Sequence, residues 1–408
     1  MRKTVLVYSA FLIGLISFGQ EANERGQLIL DVTYLSHDSL EGRETGTKGE
    51  MIAAEYIAKR YSEIGLTKAG STDSSYYQLF SKKLKAHPHD TAFTGPLVKG
   101  RNIIGLIDNH AKRTIVIGAH YDHLGWGSDG SLHTGDSAIH NGADDNASGV
   151  AALLMLAKRL SEKSYGSNFL FIAFSGEEKG LLGSNYFINN LRKGYGELIY
   201  MVNMDMVGRL DSNRRLAVYG VGTSPSIIPA IEEVSIPSFQ FVFDSSGVGP
   251  SDHTSFYLSG VPVVHFFTGQ HAQYHRPEDD VELINIDGLF DVASFIDKLI
   301  MELEREEKLT FTKTVDKSPS KRGFNVTLGV IPDYLFSGNG LKIDGVKIGR
   351  AAEIAGIIKG DVVVQMGDLQ INGMGDYVDA LNLFEKGDTT DVVVLRNEKR
   401  ETLRVIFD

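Results

Sequence analysis

"GADDNASGV" (Gly142–Val150) sets two carboxylates side by side, Asp144 and Asp145, immediately before an apolar run. One such residue ordinarily caps a helix, accepting hydrogen bonds from the free N–H groups of the first turn. Capping accounts for one of the pair and leaves the other unexplained. The flanks supply a context. Upstream lies "TIVIGAHYDHLG" (Thr114–Gly125) and downstream "FLFIAFSGEEKGLLGS" (Phe169–Ser184), each a β-branched or aromatic run that ends in His, Asp or Glu. Strands that deliver polar groups into loops, with helices between them, make an α/β fold.

Short apolar runs predict strands at Asn102–Ile107, Thr114–Ala119, Phe169–Ser175, Tyr200–Met206, Leu216–Gly220 and Val261–Phe267. Amphipathic patterns predict helices at Gly149–Ser161, Ser184–Arg192, Ser226–Val234 and Asp287–Arg305. Earlier, Ile52, Ile57, Tyr61 and Ile64 share one helical face. This alternation describes a mixed, largely parallel twisted sheet flanked by helices on both faces. The polar residues then fall at the carboxyl ends of strands, where open sheets collect ligands. His120 and Asp122 follow one strand, Glu177 and Glu178 another, Asp205 ends a third, and His275 lies beyond "VVHFF".

Composition narrows the chemistry. The 408 residues are 42% apolar and 23% charged, as in a globular protein of two domains. A net charge of −11 supplies no basic surplus for nucleic acid. "KKLK" (Lys82–Lys85) reads as a solvated loop. The chain has no cysteine, so any metal must be held by imidazoles and carboxylates. Such a donor set suits zinc, with cobalt or manganese as substitutes. More than four ligands suggests two ions, and a carboxylate such as Asp145 can bridge them while Asp144 serves the cap.

The first 20 residues, "MRKTVLVYSAFLIGLISFGQ", have the basic, apolar and small-residue layout of a signal peptide. The protein is therefore expected to be exported, to a periplasm or beyond, with no membrane span in its mature form. A catalytic domain is expected over 21–305, a charged linker over 306–322, and a small β-rich domain over 323–408.

In order along the chain, "H-x-D", "GADDNASG", "GEEKGLLGS", "NMDMVG" and "YHRPEDD" resemble the co-catalytic di-zinc aminopeptidases, relatives of bacterial leucyl aminopeptidase and glutamate carboxypeptidase II. The likeness runs from Leu35 to Leu303. It implies the zinc exopeptidase fold and two Zn2+ ions bridged by Asp145. His120 and Asp205 complete one site, and Glu178 and His275 the other. Glu177 is implied as general base for a bridging metal-bound water, and Asp122 as the group that orients His120. His253, His265 and His271 lie in the same stretch as His275, which is chosen for its match to "YHRPED". "GPSDHTSF" resembles the segment lining such sites, which makes Asp252 and His253 neighbours of the metals. The segment before His120 is too short for the protease-associated insertion many relatives carry.

"AAEIAGIIKGDVVVQMGD" with "ING" resembles a PDZ domain of the bacterial protease type, and the loop Leu328, Gly329 and Val330 is its candidate carboxylate cradle for a peptide or protein C-terminus. The expected activity is release of N-terminal residues from peptide substrates. A carboxypeptidase or dipeptidase on this scaffold needs a basic pocket, for which Arg43, Arg209 and Arg276 are available. A glutaminyl cyclase would use one zinc, and a non-catalytic protein displaying the PDZ domain would lack ligands that are all present here.

Overall fold

The computed structural model describes residues 2–84, 95–127, 130–163, 165–234, 239–314, 326–333, 336, 338–346 and 349–407. In chain order the first part comprises α1 (Arg2–Leu35), α2 (Lys48–Ile64), β1 (Thr67–Lys68), β2 (Tyr77–Lys83), β3 (Leu97–Ile107) and β4 (Arg113–His120). Next come α3 (Gly149–Ser161), β5 (Asn168–Phe174), α4 (Leu182–Asn189), β6 (Glu197–Met204), β7 (Arg215–Tyr219), α5 (Ile227–Val234) and β8 (Gln240–Phe243). Then follow α6 (His253–Tyr257), β9 (Val263–Phe267) and α7 (Ile286–Leu303).

These strands form one sheet in the order β1-β3-β5-β4-β6-β9-β7-β8, with β2 also on β3. The inner strands β5, β4, β6 and β9 run parallel, while β3 and β7 are antiparallel to their inner neighbours. All seven residues of β5 are buried, because helices cover both faces of the sheet and leave no solvent side for alternation to mark. Helix α3, "GVAALLMLAKRLS", is apolar almost all round and buried accordingly, wedged among the sheet, α1, α2 and α7.

The helix α1 is continuous across the expected cleavage point near Gln20. Its last turns belong to the main hydrophobic core: Leu28, Val32 and Leu35 recur at helical spacing and are buried, and Glu24 pairs with Arg159 of α3 at 2.6 Å. Among the described residues no helix is long and apolar enough to cross a membrane.

Three differences from the sequence reading have physical causes. Strands β1 and β8 are short edge strands, β2 is an edge strand whose polar and apolar residues do not alternate in sequence, and Lys82 and Lys83 lie on β2, where an edge tolerates lysine, rather than in a loop. The expected linker does not begin at 306. Leu309 is buried in the main core, Phe311 packs on Tyr257, and Thr314 N–H donates to Tyr257 Oη at 2.9 Å. Residues 315–325, which include the second half of that linker from 315 to 322, lie outside the described residues, as do 85–94 of the polar stretch before β3.

The C-terminal part has β10 (Val330–Pro332), β11 (Leu341–Val346), α8 (Ala351–Ile354), β12 (Val362–Met366), β13 (Leu369–Gln370), α9 (Met374–Leu381), β14 (Thr389–Arg396) and β15 (Lys399–Ile406). Its strands form a second sheet, β10-β11-β12-β14-β15 with β13 on β12, closed over a core of its own that includes Leu328, Ile343, Val363, Val394 and Phe407.

Gly49 sits inside α2, where alanine would ordinarily gain about 1 kcal/mol over glycine. Here a Cβ would lie 1.7 Å from the Leu40 carbonyl oxygen. Gly49→Ala is expected to destabilise by about 1–3 kcal/mol, reversing the usual sign, and a urea midpoint above that of the parent would refute this.

Candidate metal centre

Because β5, β4, β6 and β9 are parallel neighbours, their carboxyl ends open on one cleft. His120 is the last residue of β4, Glu177 and Glu178 follow β5, Asp205 follows β6, and His275 lies in the loop after β9. The cleft is lined by all five and by Asp145, with Met206, Tyr219, Phe267 and Tyr274 among its apolar walls.

Asp145 divides its two oxygens. His120 Nε2 stands 3.3 Å from Asp145 Oδ1 and 3.2 Å from Asp205 Oδ1. On the other side, His275 Nε2 stands 3.2 Å from Asp145 Oδ2 and 3.5 Å from Glu178 Oε2. Neighbouring donors on a tetrahedral zinc with bonds of about 2.0–2.1 Å are about 3.3 Å apart, so the spacing on both sides fits a shared divalent ion. The donors are nitrogens and carboxylate oxygens throughout, which is also what zinc takes.

The turn holding Asp145 is Ala143–Ser148, a kinked segment ahead of α3. Asp279 fixes it: its Oδ2 accepts the Asp144 and Asp145 N–H groups, each at 3.0 Å, and its backbone oxygen accepts from Ala143 at 2.9 Å. The expected cap at Asp144 is displaced by two residues. Asn146 Oδ1 accepts from Gly149 N at 3.0 Å, while Asp144 Oδ1 takes the Gly208 N–H at 2.7 Å and Ser148 Oγ at 3.0 Å.

Asp122 also departs from its expected role. The His120 Nδ1–H donates to the Asp122 backbone oxygen at 3.1 Å, and the carboxylate is 3.9 Å away. That carboxylate accepts instead from Thr45 Oγ1 at 2.7 Å and from Glu177 N at 3.2 Å, so it steadies the loop of Glu177. His275 is oriented by a loop carbonyl, its Nδ1–H donating to Gly130 O at 2.9 Å.

Asp252 and His253 are fully buried behind the cleft and do not line it. His253 stacks on His265 with ring centroids 4.4 Å apart, and His265 Nδ1 accepts from Asn203 Nδ2 at 3.0 Å. His271 faces Asp144 Oδ2 at 3.4 Å. Of the PDZ loop, Leu328 is buried with its carbonyl accepting from Ala352, Gly329 N–H donates to Thr327 Oγ1, and Val330 opens β10.

Burial and crowding of carboxylates set the charges. Desolvation holds Glu177 well above the ordinary carboxylate range, with Glu178 and Asp205 reinforcing it, and pushes Asp122 up to about 6 and Asp252 to about 7. Burial acts to lower His275, but the Glu178 and Asp145 carboxylates carry it up to about 9.

Arg43, considered for a substrate pocket, is elsewhere engaged. It is fully buried, and its guanidinium donates to the carbonyls of Tyr121 (2.7 Å), Asn141 (2.6 Å), Gly142 (3.0 Å) and Leu35. Burial lowers its pKa to about 10, opposed by Asp145, Asp122, Asp279 and Glu178. Neither it nor Arg209 nor Arg276 lines the cleft. Sequence reasoning missed Arg43 in this role, along with Asp279, Gly130 and His123, whose Nδ1 lies 2.8 Å from Glu178 Oε1.

Residues 102–300 match peptidase family M28, and residues 310–407 match a PDZ domain. The chain is 27% identical over 277 residues to Aminopeptidase YwaD of Bacillus subtilis, covering 64% of this chain and 55% of that one. It is 30% identical over 151 residues to the Alkaline phosphatase isozyme conversion protein of Escherichia coli, covering 37% and 42%. The chain thus spans about half the length of the curated relatives it matches. Among solved structures, an aminopeptidase from Aneurinibacillus sp. strain AM-1 superposes with TM-score 0.52 at 17% identity, covering 71% of this chain and 95% of that one. A glutaminyl cyclase of Porphyromonas gingivalis superposes with TM-score 0.56 at 19% identity, covering 68% and 98%. At these identities the likeness is one of fold.

Arg43→Met would strand buried carbonyls that now share one cation. It is expected to cost about 3–5 kcal/mol, read as a fall in thermal midpoint, whereas Arg276→Met should leave the midpoint unchanged within error.

Proposed function

With residues 102–300 matching peptidase family M28 and residues 310–407 matching a PDZ domain, we propose that the protein is an exported di-zinc aminopeptidase. The observation that carries this reading is the divided carboxylate of Asp145, with one imidazole–carboxylate set on each oxygen and Glu177 in the same cleft.

His120 and Asp205 would hold one ion, Glu178 and His275 the other, with Asp145 shared between them. Bound there, two Zn2+ ions, or Co2+ or Mn2+ in their place, supply Lewis acidity toward a scissile carbonyl and its attacking water. The rest is the work of the chain. Glu177, its basicity raised by burial, takes the proton of the attacking water and passes it to the leaving amine. Asp122 keeps Glu177 in place through the Glu177 N–H, and the Asp122 carbonyl fixes the His120 tautomer so that Nε2 faces the cleft. Met206, Tyr219 and Phe267 offer an apolar wall for the first side chain of a peptide, which favours a large aliphatic or aromatic N-terminal residue.

Aminopeptidases among the relatives support this direction of cleavage, as does a cleft whose lining among the described residues has none of the arginines that a C-terminal carboxylate would require. The apolar stretch of residues 1–20 supports export to a periplasm or beyond, and the PDZ domain supports capture of a peptide or protein C-terminus.

Elemental analysis of the purified protein should find about two zinc ions per chain, and chelation should abolish release of leucine from leucyl p-nitroanilide. Glu177→Gln is expected to keep its metal while losing about 10²–10⁴-fold in kcat, and Asp145→Ala to lose both. One ion per chain, with ammonia released from an N-terminal glutamine and no peptide cleaved, would replace the aminopeptidase reading by cyclisation.

A further inference from the structure

We infer that His123 is a positioning residue for Glu178, donating from Nδ1 to one carboxylate oxygen so that the other is presented to the second metal position. The inference rests on the di-zinc reading above. His123 follows β4 in "AHYDHLG" and is buried, as are His120 and Asp122 beside it. Its Nδ1 stands 2.8 Å from Glu178 Oε1 and 3.8 Å from Asp145 Oδ2. The first distance is that of a charge-assisted hydrogen bond, shorter than the separation of about 3.3 Å between two donors on one tetrahedral zinc. His275 addresses the opposite oxygen, Oε2, so the two imidazoles divide the Glu178 carboxylate between them. The rings are 5.8 Å apart and nearly perpendicular.

The remaining polar atom of the ring supports this assignment. His123 Nε2 is buried with no hydrogen-bond partner among the described residues. With the proton on Nδ1, what is left there is an unpaired acceptor rather than a stranded N–H, the less costly of the two. Were Nδ1 instead a metal ligand, the Nε2 proton would be the orphan. Space for the ring is made by Gly142, in the left-handed region at φ +55°, where a Cβ would lie 2.5 Å from His123 Cδ2. The residue that turns the chain into the Asp144–Asp145 segment thus also leaves room for the group that steadies Glu178. A carboxylate so held has one oxygen occupied and loses less freedom on binding an ion, the effect by which partners of metal ligands raise affinity by about 10–100-fold.

Two variants test this in the full chain. Asparagine places its side-chain N–H near the position of Nδ1 and is a poor zinc ligand, whereas leucine fills space and donates nothing. Apo-protein is titrated with Zn2+ against a chromogenic chelator, and with Co2+ while its visible absorption is followed. His123→Leu is expected to weaken the second of two binding steps by about 10–100-fold with the first unchanged, and His123→Asn to restore it to within about threefold of the parent. The Co2+ spectrum of His123→Asn should superimpose on that of the parent. If His123→Asn binds the second ion as weakly as His123→Leu, or alters the cobalt spectrum, His123 is itself a ligand and the inference is overturned. If His123→Leu binds as tightly as the parent, His123 is packing alone. A parent chain that takes up fewer than two ions brings down the di-zinc reading and this inference together.

Discussion

The oxygens of Asp145 face different partners, and that one carboxylate can be in the right place only if its backbone is held. Asp279 does the holding, taking two successive N–H groups of the turn on its side chain while its own carbonyl receives a third. The arrangement ties the loop after β9, which also carries His275, to the segment that enters α3. Helix α3 is in turn buried along ten of its thirteen residues, in the main hydrophobic core. Position at the site is therefore set by the hydrophobic packing of the central layer and transmitted through a few backbone hydrogen bonds.

Assembling Asp122, Asp144, Asp145, Glu177, Glu178, Asp205, Asp252 and Asp279 in one region runs against their mutual repulsion. Three responses are visible. The pKa values of Glu177, Asp122, Asp205 and Asp252 rise toward the protonated form, imidazoles stand between carboxylates, and Arg43 sits in the protein with its charge spread over main-chain carbonyls. Divalent cations would supply the remainder, which makes metal uptake and stability parts of one equilibrium.

Much of this was legible in the order of residues. Buried parallel strands announce themselves as Val, Ile and Phe runs, so the donors His120, Glu178 and Asp205 could be placed at their ends, and α3 was bounded correctly at Gly149 and Ser161. The cap was misassigned because Asp144 and Asn146 are both good capping residues two positions apart, and only tertiary partners decide between them. Arg43 was considered for a substrate pocket because nothing local signals that the carbonyls of Tyr121, Asn141 and Gly142, far along the chain, converge on it. His123 escaped notice because its partner lies 55 residues away. Leu309 and Phe311 were lost in a charged neighbourhood although Leu309 packs in the main core and Phe311 on Tyr257.

That docking bears on the reach between the two domains. With the chain anchored through Thr314 and resumed at Val326 in the core of the PDZ domain, the connecting stretch is residues 315–325. Fully extended, such a stretch reaches at most about 40 Å. On the proposed function, a peptide held by one domain within that reach would meet the other at up to about millimolar effective concentration, whatever its concentration in solution. On that same proposal, weak capture by the PDZ domain would suffice to present a peptide to the cleft, and a peptide too short to span the distance would be held without being cut.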